Sequence, residues 1–177
     1  MAQAQGLDVT PANKITPEKI REGIDVEING RAFRHTGDPE MPLLWYLRDV
    51  LRLTGTKFSG EHGLGGADLV LVNNKLVAAV TVAVKTLQGK KVTTVEGLAA
   101  PDGKLHPLQQ AFVDEDAIGC GYCTPGWLMA SVDLLNRHPQ PNDNDIDQLP
   151  NLCRCGCQTR VRRAIKRAAM AIAGGKA

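Results

Sequence analysis

Aromatic side chains are scarce in this chain, at 4% of 177 residues: two Trp, two Tyr and three Phe. A surface that stacks single-stranded bases interleaves aromatics with basic residues. The basic run from Arg160 through Arg162, Arg163 and Lys166 to Arg167 contains none, so no nucleic-acid partner is expected. Charge of one sign is also lacking. A formal net charge of +2 is too small to argue for nucleic acid or a membrane surface. No apolar run approaches the roughly 18–20 residues that span a bilayer, so no direct membrane span is expected. Met1 to Gly6 has neither the basic start nor the apolar stretch of a secretory signal. Cysteine is limited to five positions. A chain of this length with 43% hydrophobic residues can fold without a disulfide framework, so its thiols call for another explanation.

The pattern along the chain changes twice. Residues 1–22 read as an N-terminal extension, with Thr16 and Pro17 able to start one short helix. Residues 23–100 are strand-rich. Ile24 to Ile28 alternates, Asn29-Gly30 is a hairpin turn signal, and Arg31 to His35 reads as the partner strand. Pro42 to Leu51 has helical spacing, followed by a glycine-rich loop from Gly60 to Gly66. Asp68 to Val72, a turn at Asn73-Asn74 and Lys75 to Val84 make a second hairpin, and Lys91 to Val95 a last strand. Residues 101–177 are helical: about 106–114, then Thr124 to Arg137, a short helix from Asp143, and one from Gln158 or Thr159 through Ile172. The expected class is α+β.

Four cysteines form one constellation, Cys120-x2-Cys123 and Cys153-x-Cys155, separated by residues 124–152. Each pair lies in a turn-rich run just ahead of a helix. Thiolates are soft ligands, and four converging on one point select zinc or an iron–sulfur cluster. A closed tetrahedral zinc site in a structural module is one reading of this donor set. A 2Fe–2S cluster is the other. Helix N-termini beside the sulfurs would stabilise a negatively charged cluster, and Arg154, Arg160, Arg162 and Arg163 are expected to add positive potential.

Further strings narrow the choice. Thr54-Gly55-Thr56-Lys57-Phe58, Lys90 to Leu98, His106-Pro107-Leu108-Gln109-Gln110-Ala111-Phe112, Cys120-Gly121-Tyr122-Cys123-Thr124-Pro125-Gly126 and Leu152-Cys153-Arg154-Cys155-Gly156 occur in this order. Over about 150 residues, Ile24 to Ile172, the chain resembles the small iron–sulfur subunit of molybdenum hydroxylases. Xanthine dehydrogenase, aldehyde oxidoreductase and isoquinoline oxidoreductase belong to that family. The resemblance implies a β-grasp, plant-ferredoxin-like domain followed by a four-helix domain, each normally holding one 2Fe–2S cluster. It implies that Cys120, Cys123, Cys153 and Cys155 ligate the inner cluster, next to molybdopterin in a large partner subunit, expected in its cytosine dinucleotide form. Cys155 would lie on the electron path toward the pterin.

The outer cluster breaks the pattern. The plant-type ligand spacing is C-x4-C-x2-C with a distant fourth Cys. Aligned on Thr56-Lys57-Phe58, the four slots here hold Gly60, Gly65, Asp68 and Val80. The spacing survives and every thiolate is gone, so one cluster is expected, with His62 a solvated loop residue. Gly119 stands where the family usually places a pterin-bonding Gln, and Cys157 reads as a spare thiol packed beside the cluster. The chain is thus expected to be an electron-transfer subunit of a molybdopterin-dependent oxidoreductase acting on an aldehyde or N-heterocycle. It would relay single electrons to a downstream haem protein such as a cytochrome c, or to a flavoprotein carrying FAD, with no catalytic residue of its own. The other reading is a structural zinc-binding or partner-stabilising subunit. Some relatives are exported folded on a signal carried by the large subunit, so this reading leaves both cytoplasm and periplasm open.

Overall fold

Two asparagine turns organise the first half of the molecule. Asn29 and Gly30 have φ of 51° and 76°, and Asn73 and Asn74 have 48° and 62°. Left-handed backbone at both central positions matches the twist of the strands on either side. The first turn joins β1 (Ile24–Ile28) to β2 (Arg31–His35), with Ile24 opposite His35 and Ile28 opposite Arg31. The second joins β3 (Leu69–Val72) to β4 (Lys75–Ala78). β5 (Lys91–Thr93) lies between the hairpins, parallel to β1 and antiparallel to β3, giving a mixed sheet of order β2-β1-β5-β3-β4. These relations come from a computed structural model that describes residues 23–175. The expected helix at Thr16-Pro17 lies outside the described residues.

Two segments depart from the sequence pattern. The helix expected over 42–51 is α1 (Leu43–Trp45) followed by a π turn, Tyr46–Val50, closed by Leu51 N–H on the Tyr46 carbonyl at 3.0 Å. Arg52, at φ 59°, ends it, and Arg48 donates to the Thr54 and Thr56 carbonyls, both at 2.7 Å. The strand expected to run to Val84 stops at Ala78 and becomes two 3-10 turns, Ala79–Thr81 and Val84–Leu87. Here the Val80 N–H is taken by the Asp68 carboxylate at 3.1 Å, which withdraws it from the ladder.

Four helices follow. α2 (Pro107–Asp114) is capped by His106, whose Nδ1 accepts from Leu108 N–H at 3.2 Å while Gln109 Oε1 accepts from His106 N–H at 2.9 Å. This is a capping box with histidine in the usual serine role. α3 spans Thr124–Arg137, α4 Asp143–Asp147 and α5 Gln158–Gly174.

Burial follows the layers. Val26, Ile28, Val70, Val72 and Val92 pack with Leu43, Leu44, Tyr46 and Leu47 on one side of the sheet. Leu108, Ala111 and Phe112 of α2 pack with Val161, Ala164, Ile165 and Ala168 of α5 and with Trp127. Between them, Leu69 and Leu71 meet Met129 and Ala130 of α3. β3 is therefore covered on both faces, which explains why it reads as an unbroken apolar run.

Candidate metal centre

Each cysteine pair sits on a turn whose glycine has a left-handed backbone. Gly121, between Cys120 and Tyr122, has φ 81°, and Gly156, between Cys155 and Cys157, has φ 74°. Nothing lies within 4 Å of the Cβ position at either, so the demand is conformational. α3 then starts at Thr124 with Cys123 as its N-cap, and α5 starts at Gln158 with Cys157 as its N-cap. The helix expected from Thr124 thus starts there, and a thiol-bearing residue occupies the N-cap in both helices. The free N–H groups of both first turns face this end of the fold.

The sulfurs meet across the two arms. The thiols act on one another's protonation across the arms, Cys120 with Cys155 and Cys123 with Cys153, and Cys153 also feels the Cys157 thiol. Cys120 and Cys155 are exposed, Cys123 and Cys153 half-buried. Within each pair one thiol is favoured as the proton holder. Burial, with the bond to Cys153, pushes Cys123 up to about 12. Cys153 is drawn below its usual value: burial opposes this but is outweighed by the N–H of Cys157 and the Cys123 thiol. Cys120 is lowered by the Tyr122 N–H and by Cys155. Cys155 feels a lowering bond from the Cys120 N–H, outweighed by the proton shared with the Cys120 thiol. Metal loading must displace these protons.

Among the described residues no group of three or more His, Cys, Asp or Glu closes on a single-ion site. The candidate donors are Cys120 and Cys123 in the arm ahead of α3 and Cys153 and Cys155 in the arm ahead of α5. Backbone N–H groups aimed at Cys120, Cys153 and Cys155 add donors of the kind that tune a cluster.

Gly119 and Cys157 prove to be linked. A Cβ on Gly119 would lie 2.7 Å from Cys155 Cβ and 3.0 Å from the sulfurs of both Cys155 and Cys157. Cys157 is 2% exposed and its sulfur is 3.4 Å from Arg160 Nη2. The buried thiol fills the space that a side chain at 119 would need. Sequence spacing held no signal of this, because the two positions meet only through the fold.

The arginines of α5 are all ion-paired. Arg160 pairs with Asp116 at 2.5 Å, Arg163 with Glu115 at 3.0 Å, Arg162 with Asp147 and, at 3.6 Å, with Asp143. Their charge is offset by acids on α4 and at the C-terminal end of α2. Arg154 stays exposed between Cys153 and Cys155. In the glycine-rich loop, Gly60, Gly65, Asp68 and Val80 present no thiol, Asp68 is fully buried, and His62 is exposed.

A mixed sheet followed by helices, with one cysteine pair ahead of α3 and another ahead of α5, is the frame on which the comparisons place the class: an iron–sulfur protein. Residues 94–166 match the model of the [2Fe-2S] binding domain family. The chain is 39% identical over 151 residues to one of the subunits of nicotinate dehydrogenase from Pseudomonas putida, covering 82% of this chain and 94% of that one. It is 40% identical over 149 residues to the alpha subunit of isoquinoline 1-oxidoreductase from Brevundimonas diminuta, with 82% and 97% covered. The crystal structure of quinoline 2-oxidoreductase from Pseudomonas putida 86 contains a chain that superposes with a TM-score of 0.79 at 32% identity, over 88% of this chain and 98% of that one. The chain belongs to the small iron–sulfur subunits of the molybdenum hydroxylases, whose members are electron-transfer subunits of enzyme complexes.

Proposed function

We propose that Cys120, Cys123, Cys153 and Cys155 hold the single 2Fe–2S cluster of this chain, within a helical domain at 101–177 that follows a β-grasp domain at 23–100. What supports this is that the two cysteine pairs sit in glycine turns at the starts of α3 and α5, and that all four lie within residues 94–166, which match the [2Fe-2S] binding domain family. When bound, such a cluster takes up and gives away one electron at a time. The four sulfurs supply the ligands, the N–H groups of Tyr122, Cys155 and Cys157 donate to them, and the starts of α3 and α5 favour negative charge beside them. Exposed Cys120 and Cys155 put one edge of the site at the surface, where a partner's cofactor can approach. No side chain here is assigned a proton-transfer or nucleophilic role.

The partner on that edge is a large molybdopterin subunit, in the cytosine dinucleotide form, oxidising an aldehyde or an N-heterocycle. Because Gly60, Gly65, Asp68 and Val80 offer no thiolate ligand, electrons leave without a second cluster in this chain. A haem protein such as a cytochrome c fits this exit better than an FAD protein. Purifying the native assembly and identifying its chains and cofactors tests the reading. The expected result is about two iron and two sulfide per copy of this chain, reddish-brown colour, one 2Fe–2S signal from this polypeptide and a haem chain. A colourless zinc protein, or two distinct 2Fe–2S signals from this chain, would falsify it; a flavin chain in place of haem would overturn the choice of acceptor alone.

A further inference from the structure

The loop that aligns with the missing outer ligands is highly bonded for a segment with no cluster to hold. Asp68 is 0% exposed. Its Oδ1 accepts from Ser59 Oγ–H at 2.8 Å and its Oδ2 from Val80 N–H at 3.1 Å. Ser59 Oγ in turn accepts from Ala67 N–H at 3.1 Å, and Gly65 N–H donates to the Ser59 carbonyl at 3.3 Å. A Cβ on Gly63 would lie 3.3 Å from Asp68 Oδ2 and would collide with Ala78 Cβ, so the loop backbone is pressed onto this carboxylate. Asp68 occupies the third slot, Val80 is the fourth, and Ser59 adjoins the first. One carboxylate links by hydrogen bonds three places that thiolates would otherwise have linked through iron.

The outer edge of the same loop carries both cysteine arms. Tyr122, between Cys120 and Cys123, donates its hydroxyl to the Phe58 carbonyl at 2.7 Å. Asn151 Nδ2 donates to the Gly66 carbonyl at 2.6 Å, and Leu152 N–H to the Gly65 carbonyl at 3.2 Å. These two residues run directly into Cys153. At the start of α3, a Cβ on Gly126 would collide with the Gly66 carbonyl oxygen, so helix and loop backbones touch. The two arms are far apart in sequence, and the loop is a common floor beneath them.

We propose that this loop serves as a brace that fixes the spacing between the two cysteine arms, with Asp68 as its positioning residue. The inference rests on the assignment of the cluster to Cys120, Cys123, Cys153 and Cys155. An Asp68→Leu change leaves Ser59 Oγ–H and Val80 N–H, both half-buried, without their acceptor and sets an apolar side chain against them, which is costlier than losing the bonds alone. The loop is then free to shift, and the arms shift with it. Asp68→Asn is milder: its carbonyl can still accept from Val80 N–H and its amide can donate to Ser59 Oγ, so one acceptor is lost, that of the Ser59 hydroxyl proton.

The test uses the full chain in its purified assembly and measures release of iron to an excess of chelator, together with the low-temperature EPR line shape of the reduced cluster. Asp68→Leu is expected to release iron about tenfold faster, with a broadened signal, and Asp68→Asn only a few-fold faster. Ser59→Ala, a milder change that removes one donor, is expected to release iron a few-fold faster, and it carries the test should Asp68→Leu fail to fold. Wild-type release rates and line shapes in a folded Asp68→Leu, or in Ser59→Ala, overturn the brace while leaving the cluster assignment intact. A wild-type assembly whose copy of this chain carries no iron overturns that assignment and the brace together.

Discussion

At the scale of single residues, charge beside the sulfurs is less abundant than the basic tail suggests. Arg160, Arg162 and Arg163 are each engaged with a carboxylate, so their fields are partly cancelled. Arg154 sits exposed between Cys153 and Cys155. Reduction adds one negative charge to the cluster, so a nearby cation favours the reduced form. Arg154→Ala is therefore expected to lower the midpoint potential, by roughly 20–60 mV given solvent screening of an exposed charge. An EPR-monitored redox titration reads it, and an unchanged or raised midpoint would refute the assignment of Arg154 as the main tuning charge.

At the scale of elements, the start of α2 gives a pH dependence of stability. His106 caps the helix through Nδ1 as an acceptor, which requires that nitrogen to be unprotonated. Burial lowers its pKa below the ordinary 6.5. With the folded value depressed, the cap's contribution is fully present above about pH 6.5 and is lost as pH falls through the lower folded value. A cap is worth about 1 kcal/mol. Urea midpoints measured from pH 7.5 down to 5.5 should fall in the wild type more steeply than in His106→Asn, which caps without titrating. Equal slopes would show that the histidine cap does not govern this range.

The hairpin turns, the helix starts and the cysteine turns were the elements most legible in the sequence, whereas the His106 cap was not. Asn29-Gly30, Asn73-Asn74, Pro107, Pro125 and the two cysteine pairs act locally, and local chemistry shows in local residues. The π turn at Tyr46–Val50, the early end of β4 at Ala78 and the filling of Gly119's space by Cys157 did not show. Each depends on a partner distant in the chain or on packing: Val80 leaves the ladder for Asp68, and Gly119 meets residues 36 and 38 positions onward. The partial offset of the arginines' positive potential was hidden for the same reason, since Asp116, Asp143, Asp147 and Glu115 reach them only in the folded chain.

At the scale of the whole molecule, the sheet and the helices have separate apolar cores joined at β3. The joint is small: Leu69 and Leu71 from the sheet against Met129 and Ala130 from α3. Polar contacts at the glycine-rich loop supplement it. Met129 is 0% exposed, and truncating a fully buried methionine costs about 2–5 kcal/mol. The two tryptophans report on opposite sides of this joint, because Trp45 packs against the sheet core and Trp127 lies in the helical core. In paired single-tryptophan proteins, Trp45→Phe and Trp127→Phe, fluorescence unfolding in urea is expected to give coincident midpoints, as a cooperative unit does. Adding Met129→Ala should lower both midpoints together, since the cavity opens on the surface that both cores share. If only the Trp127 signal moved, the helices would be unfolding independently of the sheet, and the seam along β3 would not couple the two cores.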